Sequence, residues 1–339
     1  MSVTIIAEAG VNHNGSLAMA LQLVDAAVVA GANIVKFQTF KSELVVSRFA
    51  DKAEYQKTTT GADESQLDMI KSLELSFEDH RKIAAYCKKQ NISYLSTPFD
   101  LCSLDEVISL GVQCIKIPSG EITHLQLLEK ISKCNRDVIL STGMSELHEI
   151  QAALDVLSPI KLSGKTISVL HCNTEYPTPF EDVNLNVIPE LFTALGIPIG
   201  YSDHTKGIEV AIAAVAMGAK IIEKHFTLDR CLPGPDHQAS LEPDELAKMV
   251  KSIRHVEAAL GSAKKKVTQS ELKNKHIARK YLVAAKSIAV GDVFNEENIT
   301  AKRIGKEGVS PMLWRSLLGQ ASLCEYAVDE PLKAQEIIG

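Results

Sequence analysis

The sequence predicts an α/β protein, a (β/α)₈ TIM barrel followed by a small β-rich domain. Eight short apolar runs alternate with amphipathic, helix-like segments over the first three quarters of the chain. Several runs, such as Val138-Ile139-Leu140, are continuously apolar, as expected of parallel strands buried on both faces. Eight strand–helix units within about 260 residues fit a closed barrel better than an open sheet.

The predicted strands share an apolar character and a polar residue at or just after their end. They are Thr4–Ala7, Ile34–Phe37, Ser93–Ser96, Cys114–Ile117, Val138–Ser141, Ser168–His171, Pro198–Tyr201 and Lys220–Glu223. Gly31, Gly111 and Gly218 each precede a strand, where a left-handed residue commonly follows a helix. A polar excursion from Lys41 to about Lys71 interrupts the pattern, and a loop of that length is more often functional than idle.

The domain division follows a change in composition near Gly261. We predict a barrel over residues 1–265, a linker over 266–280 and a separate β-rich domain over 281–339. A domain this small has little core of its own, so we expect it to dock on a neighbouring subunit.

The overall composition excludes several classes of protein. The chain is 45% apolar and 23% charged, with a net charge of -6 and no basic stripe, which argues against a nucleic-acid partner. Its seven cysteines form no CxxC pair. With no bilayer-length apolar run and no targeting pattern, we expect a cytoplasmic protein that does not bind membranes.

Polar residues cluster where the barrel strands end, and the carboxyl ends of barrel strands carry the active site. A single Ser or Thr there could be a simple cap, but lysines, histidines and a glutamate predict a functional ring. These residues are Glu8, Asn12, His13, Lys36, Gln38, Ser96, Thr97, Lys116, Ser119, Glu121, Ser141, Thr142, His171, Asn173, Thr174, Tyr176, Ser202, Asp203, His204, Lys224 and His225.

Two chemistries follow from this ring. Lys36 and Lys116, interleaved with hydroxyl donors, suit a small phosphorylated anion, although each lysine could instead be salt-bridged. His204 and His225 end adjacent strands, and two neutral imidazoles with water and oxygen ligands suit a divalent transition metal. Asp236, on the loop after the eighth strand, could orient a metal-bound water or a substrate hydroxyl, or merely close a turn.

Nine motifs in order along the chain carry a resemblance to a known family. They include Glu8-Ala9-Gly10-Val11-Asn12-His13, Lys36-Phe37-Gln38-Thr39-Phe40, Lys116-Ile117-Pro118-Ser119-Gly120-Glu121, Ser202-Asp203-His204-Thr205 and Glu223-Lys224-His225-Phe226. Together they resemble bacterial sialic acid synthases over essentially the whole chain. The small domain, with Lys302-Arg303 and Gly308-Val309-Ser310-Pro311, resembles the antifreeze-like (SAF) domain of that family.

The resemblance implies an N-acetylneuraminate synthase, which condenses phosphoenolpyruvate with N-acetylmannosamine and water and releases phosphate. It implies a divalent metal, Mn²⁺ first with Mg²⁺ or Co²⁺ as alternatives, on His204 and His225, and catalytic roles for Glu8 and Asp236. It also implies a homodimer, domain-swapped so that Arg303 reaches the sugar's acyl group in the partner's barrel. The expected substrate-binding residues are Lys36, Thr97, Lys116, Ser119, Glu121, Ser141, Asn173, Thr174, Tyr176, Ser202 and Arg303.

Other functions remain open at this point. Legionaminic or pseudaminic acid synthases share these motifs and use a 2,4-diacetamido-2,4,6-trideoxyhexose, whereas the run from Thr174 to Glu181 favours N-acetylneuraminate. A synthase acting on an aldose phosphate would need a second phosphate cluster, and the sequence shows one. A non-catalytic carbohydrate-binding protein would not need the strand-end lysines or the histidine pair.

Overall fold

The computed structural model describes residues 2–60 and 65–337, and the chain divides into two compact units, Met1–Gly261 and Ser262–Gly339. Residues 61–64 of the predicted excursion and residues 338–339 of the predicted small domain lie outside the described residues. No helix in the described ranges is both long and apolar enough to cross a bilayer.

All eight predicted strands of the first unit are confirmed, and most extend one or two residues farther. They are β1 (Thr4–Gly10), β2 (Ile34–Thr39), β3 (Ser93–Pro98), β4 (Cys114–Ile117), β5 (Asp137–Ser141), β6 (Ile167–Cys172), β7 (Ile199–Asp203) and β8 (Ile221–His225). Their order is β3-β2-β1-β8-β7-β6-β5-β4, with every ladder parallel. The two end strands, β3 and β4, also lie against each other, so the sheet is a nearly closed barrel.

Helices follow most strands of this unit. They are α1 (Leu17–Ala30), α2 (Ser42–Val45), α3 (Glu54–Thr60), α4 (Gln66–Leu73), α5 (Phe77–Lys89), α6 (Leu101–Ser109), α7 (Leu125–Ser132), α8 (Leu147–Val156), α9 (Ser158–Leu162), α10 (Val187–Leu195), α11 (Glu209–Ala216) and α12 (Pro243–Leu260). Short 3₁₀ turns lie at Ser119–Glu121, Phe180–Asp182 and His237–Ala239. The side chains of Ser16 and Ser76 cap α1 and α5 by accepting backbone N–H bonds. Gly31 follows α1 with a φ of 80°, as predicted.

The described parts of the predicted excursion contain the short helices α2, α3 and α4, and α2 and α4 pack against each other. Glu74, just after α4, joins the end of this segment to its start at α2. The Glu74 carboxylate accepts hydrogen bonds from Ser42 N at 2.9 Å and Ser42 Oγ at 2.7 Å, and Lys41 Nζ lies 2.8 Å from it. The length and the polar composition of this segment predicted a loop. The hydrogen bonds and ion pairs made by Glu74 instead stabilise short helices.

The barrel interior is filled at its lower end by apolar side chains. Ile6, Leu95, Ile139, Leu170 and Ile221 form this cluster, separate from the larger core between strands and helices. Successive side chains of a strand alternate between faces, so the residue two places after Ile6, Glu8, points to the same interior. The apolar plug therefore supports a polar layer at the carboxyl ends of the strands.

The second unit has its own small core, which includes Leu282, Ile288, Phe294 and Tyr326. Its regular elements are α13 (Gln269–Ala278), β9 (Lys280–Ala284), β10 (Ile299–Arg303) and α14 (Trp314–Leu317), with 3₁₀ turns at Pro311–Leu313 and Ala334–Ile337. β9 and β10 pair antiparallel. Most of the predicted linker is thus the helix α13, and the unit begins at Ser262.

Candidate active site

A cavity of about 320 Å³ opens at the carboxyl ends of the barrel strands. Thirteen residues singled out from the sequence line it together: Glu8, Lys36, Gln38, Thr97, Lys116, Ser119, Ser141, Thr174, Tyr176, Ser202, His204, His225 and Asp236. Residues from eight different strands or the loops that follow them thus converge in one space, as a barrel active site requires.

Two buried lysines share the floor of this cavity. The Lys36 side chain is 4% exposed; its Nζ lies 2.9 Å from Glu8 Oε2 and donates to Thr97 Oγ1 at 3.1 Å. Lys116 is also 4% exposed. Burial would lower the pKa of Lys36, but Glu223 and Glu8 outweigh it, so this pKa is raised. Burial lowers the pKa of Lys116 despite the nearby Glu223, so a further anion beside Lys116 would stabilise its charged form.

Glu223 joins the two lysines, although it is not among the residues predicted to form the ring. Its Oε1 lies 3.4 Å from Lys116 Nζ and 3.7 Å from Lys36 Nζ, and it accepts a hydrogen bond from Ser202 Oγ at 3.0 Å. Burial would raise the pKa of Glu223, but the two lysines lower it to about 2, so the carboxylate is ionised. The floor is therefore a compact network of charges.

The alternation of side chains along β8 explains why Glu223 belongs to the site and why Lys224, which was predicted in the ring, does not. On β8, Glu223 and His225 face the cavity, while Lys224 points to the opposite face. There Lys224 Nζ lies 3.0 Å from Asp203 Oδ2 and donates to Thr205 O at 2.5 Å. Lys224 and Asp203 are a buried structural pair.

Gln38, which the sequence places in the predicted ring, also faces the cavity. It lies two places after Lys36 on β2 and donates from Nε2 to Glu8 Oε1 at 3.2 Å. Gln38 therefore helps to fix the Glu8 carboxylate beside Lys36.

The two histidines lie side by side, with ring centroids 5.4 Å apart. Burial lowers the pKa of His204 to about 4 and that of His225 well below its ordinary value, so both rings are neutral. His204 Nδ1 donates to Asn173 O at 2.5 Å, which leaves Nε2 as the acceptor atom. Tyr176 packs on the same ring at a centroid distance of 4.1 Å.

These imidazoles fit a divalent metal as a partial ligand set. Neutral imidazole is the metal-binding form of histidine. The buried His225 Nδ1 has no hydrogen-bond partner, and Asp236 Oδ2 is 3.6 Å from it. Within residues 2–60 and 65–337, no cluster of three or more His, Cys, Asp or Glu side chains could hold an ion. A metal here would need water or substrate oxygens to complete its coordination.

Two buried carboxyl groups of the cavity, Asp236 and Glu8, suit proton transfer. Burial, with a smaller contribution from Glu8, raises the pKa of Asp236 to about 7. Burial also raises the pKa of Glu8, despite Lys36. A carboxyl group with a pKa near neutrality can both give and accept a proton at physiological pH.

Two residues expected to bind substrate, Glu121 and Asn173, do not line this cavity. Glu121 lies 2.5 Å from His124 Nδ1 instead. The side chain of Asn173 donates to Asp182 O at 2.9 Å, while its neighbour Thr174 lines the cavity. Arg303 belongs to the second unit, where it ends β10.

The remaining polar strand-end residues stabilise the barrel. Asn12 donates to Phe226 O and Ser240 Oγ, Ser96 Oγ hydrogen-bonds Thr39 Oγ1, and Thr142 Oγ1 donates to Leu170 O. His171 contacts Val183 O. These hydrogen bonds within the barrel give each of these residues a structural role.

Comparison with known proteins agrees with this architecture. Residues 23–265 match the NeuB family. The chain belongs to this family of sugar-acid synthases. It is 50% identical over 329 residues to the N,N'-diacetyllegionaminic acid synthase of Campylobacter jejuni, covering 97% of this chain and 98% of that protein. It is 43% identical to the enzyme of the same name from Legionella pneumophila, covering 94% and 90%.

A solved structure shows the same fold. The N-acetylneuraminic acid synthetase of Leptospira borgpetersenii, in complex with citrate, aligns with a TM-score of 0.71 and 37% identity over 81% of this chain and 90% of that one. The sialic-acid-type synthase resemblance is confirmed at the level of the family. The relatives favour the legionaminic acid alternative over the N-acetylneuraminate interpretation. The antifreeze-like domain, the metal and the swapped dimer stay predictions.

Proposed function

We propose that this protein condenses phosphoenolpyruvate with 2,4-diacetamido-2,4,6-trideoxymannose and water to form N,N'-diacetyllegionaminic acid and phosphate. The observation that carries the proposal is the pair of buried lysines, Lys36 and Lys116, on the floor of one strand-end cavity. The names of the two legionaminic acid synthases support the choice of sugar.

Phosphoenolpyruvate fits the charges of the floor. Lys36 and Lys116 supply two point charges, and Thr97, Ser119 and Ser141 supply hydroxyl donors on the same cavity surface. Glu223 alone does not offset the effect of burial on Lys116. A phosphate group near Lys116 would add a second negative charge. Phosphoenolpyruvate binding should therefore raise the pKa of Lys116 and hold it protonated.

The condensation needs two proton transfers with the protein. Carbon 3 of phosphoenolpyruvate bonds to the aldehyde carbon of the open-chain sugar, and the aldehyde oxygen gains a proton to become a hydroxyl. Water then adds to carbon 2 and loses a proton, which leaves a hydroxyl there; when the C2–O bond to phosphate breaks, this hydroxyl becomes the keto group and its proton leaves with the phosphate. We assign the first two proton transfers to Asp236 and Glu8, whose raised pKa values suit them.

The histidine pair would hold the metal. His204 and His225 would each give one neutral imidazole nitrogen to a divalent ion, with Mn²⁺ expected and Mg²⁺ or Co²⁺ as alternatives. When bound, such an ion supplies Lewis-acid polarisation of the sugar's carbonyl oxygen. The chain's own contribution is orientation: Asn173 O fixes His204 through Nδ1, and Tyr176 packs on the ring.

The second unit would complete the sugar site in a homodimer. The family resemblance implies that Arg303 contacts the sugar's acyl group in the partner's barrel. Because the second unit has only a small core of its own, docking on another subunit is physically reasonable.

Phosphate release tests the proposal. Purified protein with Mn²⁺ and phosphoenolpyruvate receives either 2,4-diacetamido-2,4,6-trideoxymannose or N-acetylmannosamine, with a sugar-free reaction as control. We expect sugar-dependent release with the first sugar. Release only with N-acetylmannosamine would return the assignment to N-acetylneuraminate, and release that does not depend on sugar would contradict a condensation.

A further inference from the structure

One side of the cavity is apolar and is not used by the chemistry described above. Its surface, the apolar wall, is formed by Val11, Phe40, Val45, Ile70, Leu73 and Phe99. Val11, Phe40 and Leu73 are each at most 7% exposed, and the Phe40 and Phe99 rings meet edge to face at a centroid distance of 6.3 Å. The six side chains pack as one cluster, with one surface open to the cavity.

The apolar wall lies above the charged floor. Phe40 follows Lys36 by four residues and Phe99 follows Thr97 by two, in or just after the parallel strands β2 and β3. At about 3.3 Å per residue, the wall is roughly 7 to 13 Å farther along the strand direction than the floor. A substrate extending from the floor toward solvent would therefore end against it.

Contacts within the chain hold the wall in place. Glu74 bonds the start of α2 to the end of α4 through Ser42 and Lys41, and Lys71 Nζ lies 2.8 Å from Glu43 Oε1. The chain at Gly15 also passes close to α4: an added Cβ there would lie 2.7 Å from Ser72 O. The wall is therefore a preformed surface.

We propose that the apolar wall binds the C6 methyl group of a 6-deoxy sugar and selects against a C6 hydroxyl. This inference rests on the proposed function in taking the cavity as the sugar site. The aldehyde carbon, C1, must lie at the floor next to phosphoenolpyruvate, so the opposite end of the open chain, C6, reaches the wall. A hydroxyl buried against six hydrocarbon side chains would lose its hydrogen bonds with water, whereas a methyl group has none to lose.

An acetamido methyl is a weaker occupant of this surface. It is attached to an amide that needs hydrogen-bond partners, and the six wall side chains offer none. Two glutamines, Gln38 and Gln56, line the cavity elsewhere and are chemically better suited to amides. The C6 methyl is therefore the substituent that the wall fits.

The first test compares sugars that differ only at C6, on two scaffolds. One pair is 2,4-diacetamido-2,4,6-trideoxymannose and its 6-hydroxy analogue; the other is 6-deoxy-N-acetylmannosamine and N-acetylmannosamine. We expect kcat/KM to favour the 6-deoxy member of each pair by about tenfold to a hundredfold, the usual range for one small group in an apolar pocket.

The two sugar pairs test the proposed function and the role of the apolar wall separately. Preference for the N-acetylmannosamine scaffold would refute the proposed function, while its C6 ratio would still test the wall. Equal use of both members of each pair, or preference for the 6-hydroxy member, would overturn the wall and leave the proposed function standing. A preference that depends on the C4 acetamido group alone would also overturn it.

The second test changes the wall itself. Val45→Thr places a hydroxyl on the wall at constant shape, and Val29→Thr makes the same change on α1 where the residue is 86% exposed. We expect Val45→Thr to reduce the 6-deoxy preference several-fold while the KM for phosphoenolpyruvate is unchanged, and the control to match wild type. Ile70→Thr is a second wall variant. An unchanged C6 ratio in both folded wall variants would contradict the inference.

Discussion

Replacing Lys116 with methionine should weaken phosphoenolpyruvate binding and leave the fold intact. Methionine keeps most of the hydrocarbon stem and removes the ammonium group that lies 3.4 Å from Glu223 Oε1. A hydrogen bond to a charged group contributes about 1.5–3 kcal/mol, and 1.4 kcal/mol is tenfold, so the KM for phosphoenolpyruvate should rise about 10- to 150-fold. The KM for the sugar should change much less.

Stability should change little for a reason specific to this network. Removing one partner of a buried ion pair costs about 3–5 kcal/mol when the other charge is left alone. Here Glu223 keeps Lys36 at 3.7 Å and the Ser202 hydroxyl at 3.0 Å, and Lys116 itself is disfavoured by burial. We therefore expect a loss well below that range.

The assay is phosphate release against phosphoenolpyruvate concentration, with urea unfolding of the same variant. Lys251→Met, on the exposed face of α12, is the matched control and should behave as wild type. An unchanged KM for phosphoenolpyruvate in folded Lys116→Met would refute the assignment of the floor to the phosphorylated substrate.

Three further predictions concern the metal, a buried pair and pH. EDTA should abolish phosphate release and Mn²⁺ restore it, and calorimetry should show that His204→Ala loses Mn²⁺ binding; full activity after chelation would contradict this. Lys224→Met should leave Asp203 buried and uncompensated, lowering the free energy of unfolding by about 3–5 kcal/mol in urea titrations; an unchanged midpoint would refute it. Burial lowers the pKa of His80 from 6.5 to about 4, so between these values the unfolded state binds more protons and stability falls as pH falls. The loss from pH 7 to 5 should be about 2 kcal/mol for this residue, and His80→Gln should flatten the slope; an equal slope would exclude His80 as its source.

The barrel was predictable because its signal is local. Each strand is a short apolar run, and the order of strand and helix repeats along the chain. The pairing of the first strand with the last then closes the sheet. In the ladder between β1 and β8, Glu8 lies opposite His225. Six of the eight strands end one to three residues later than predicted, because pairing extends into the polar residues that form the site.

The site was predicted in outline, and the alternation of side chains along a strand explains where prediction and structure differ on β8. Polar residues near strand ends were taken together, although alternation places Glu223 in the cavity and Lys224 behind it. The apolar wall could not be foreseen, because it joins residues from three strand ends with α2 and α4, whose packing depends on contacts such as Ser42 with Glu74. No local sequence pattern predicts how α2 and α4 pack on the strand ends.

Competition between two sugars tests the central claim most directly. Wild-type protein, Mn²⁺ and limiting phosphoenolpyruvate receive equal concentrations of 2,4-diacetamido-2,4,6-trideoxymannose and N-acetylmannosamine, and the nine-carbon products are quantified by mass. The product ratio equals the ratio of kcat/KM values. The account predicts that N,N'-diacetyllegionaminic acid predominates; an excess of N-acetylneuraminate, or equal amounts of both, would contradict it.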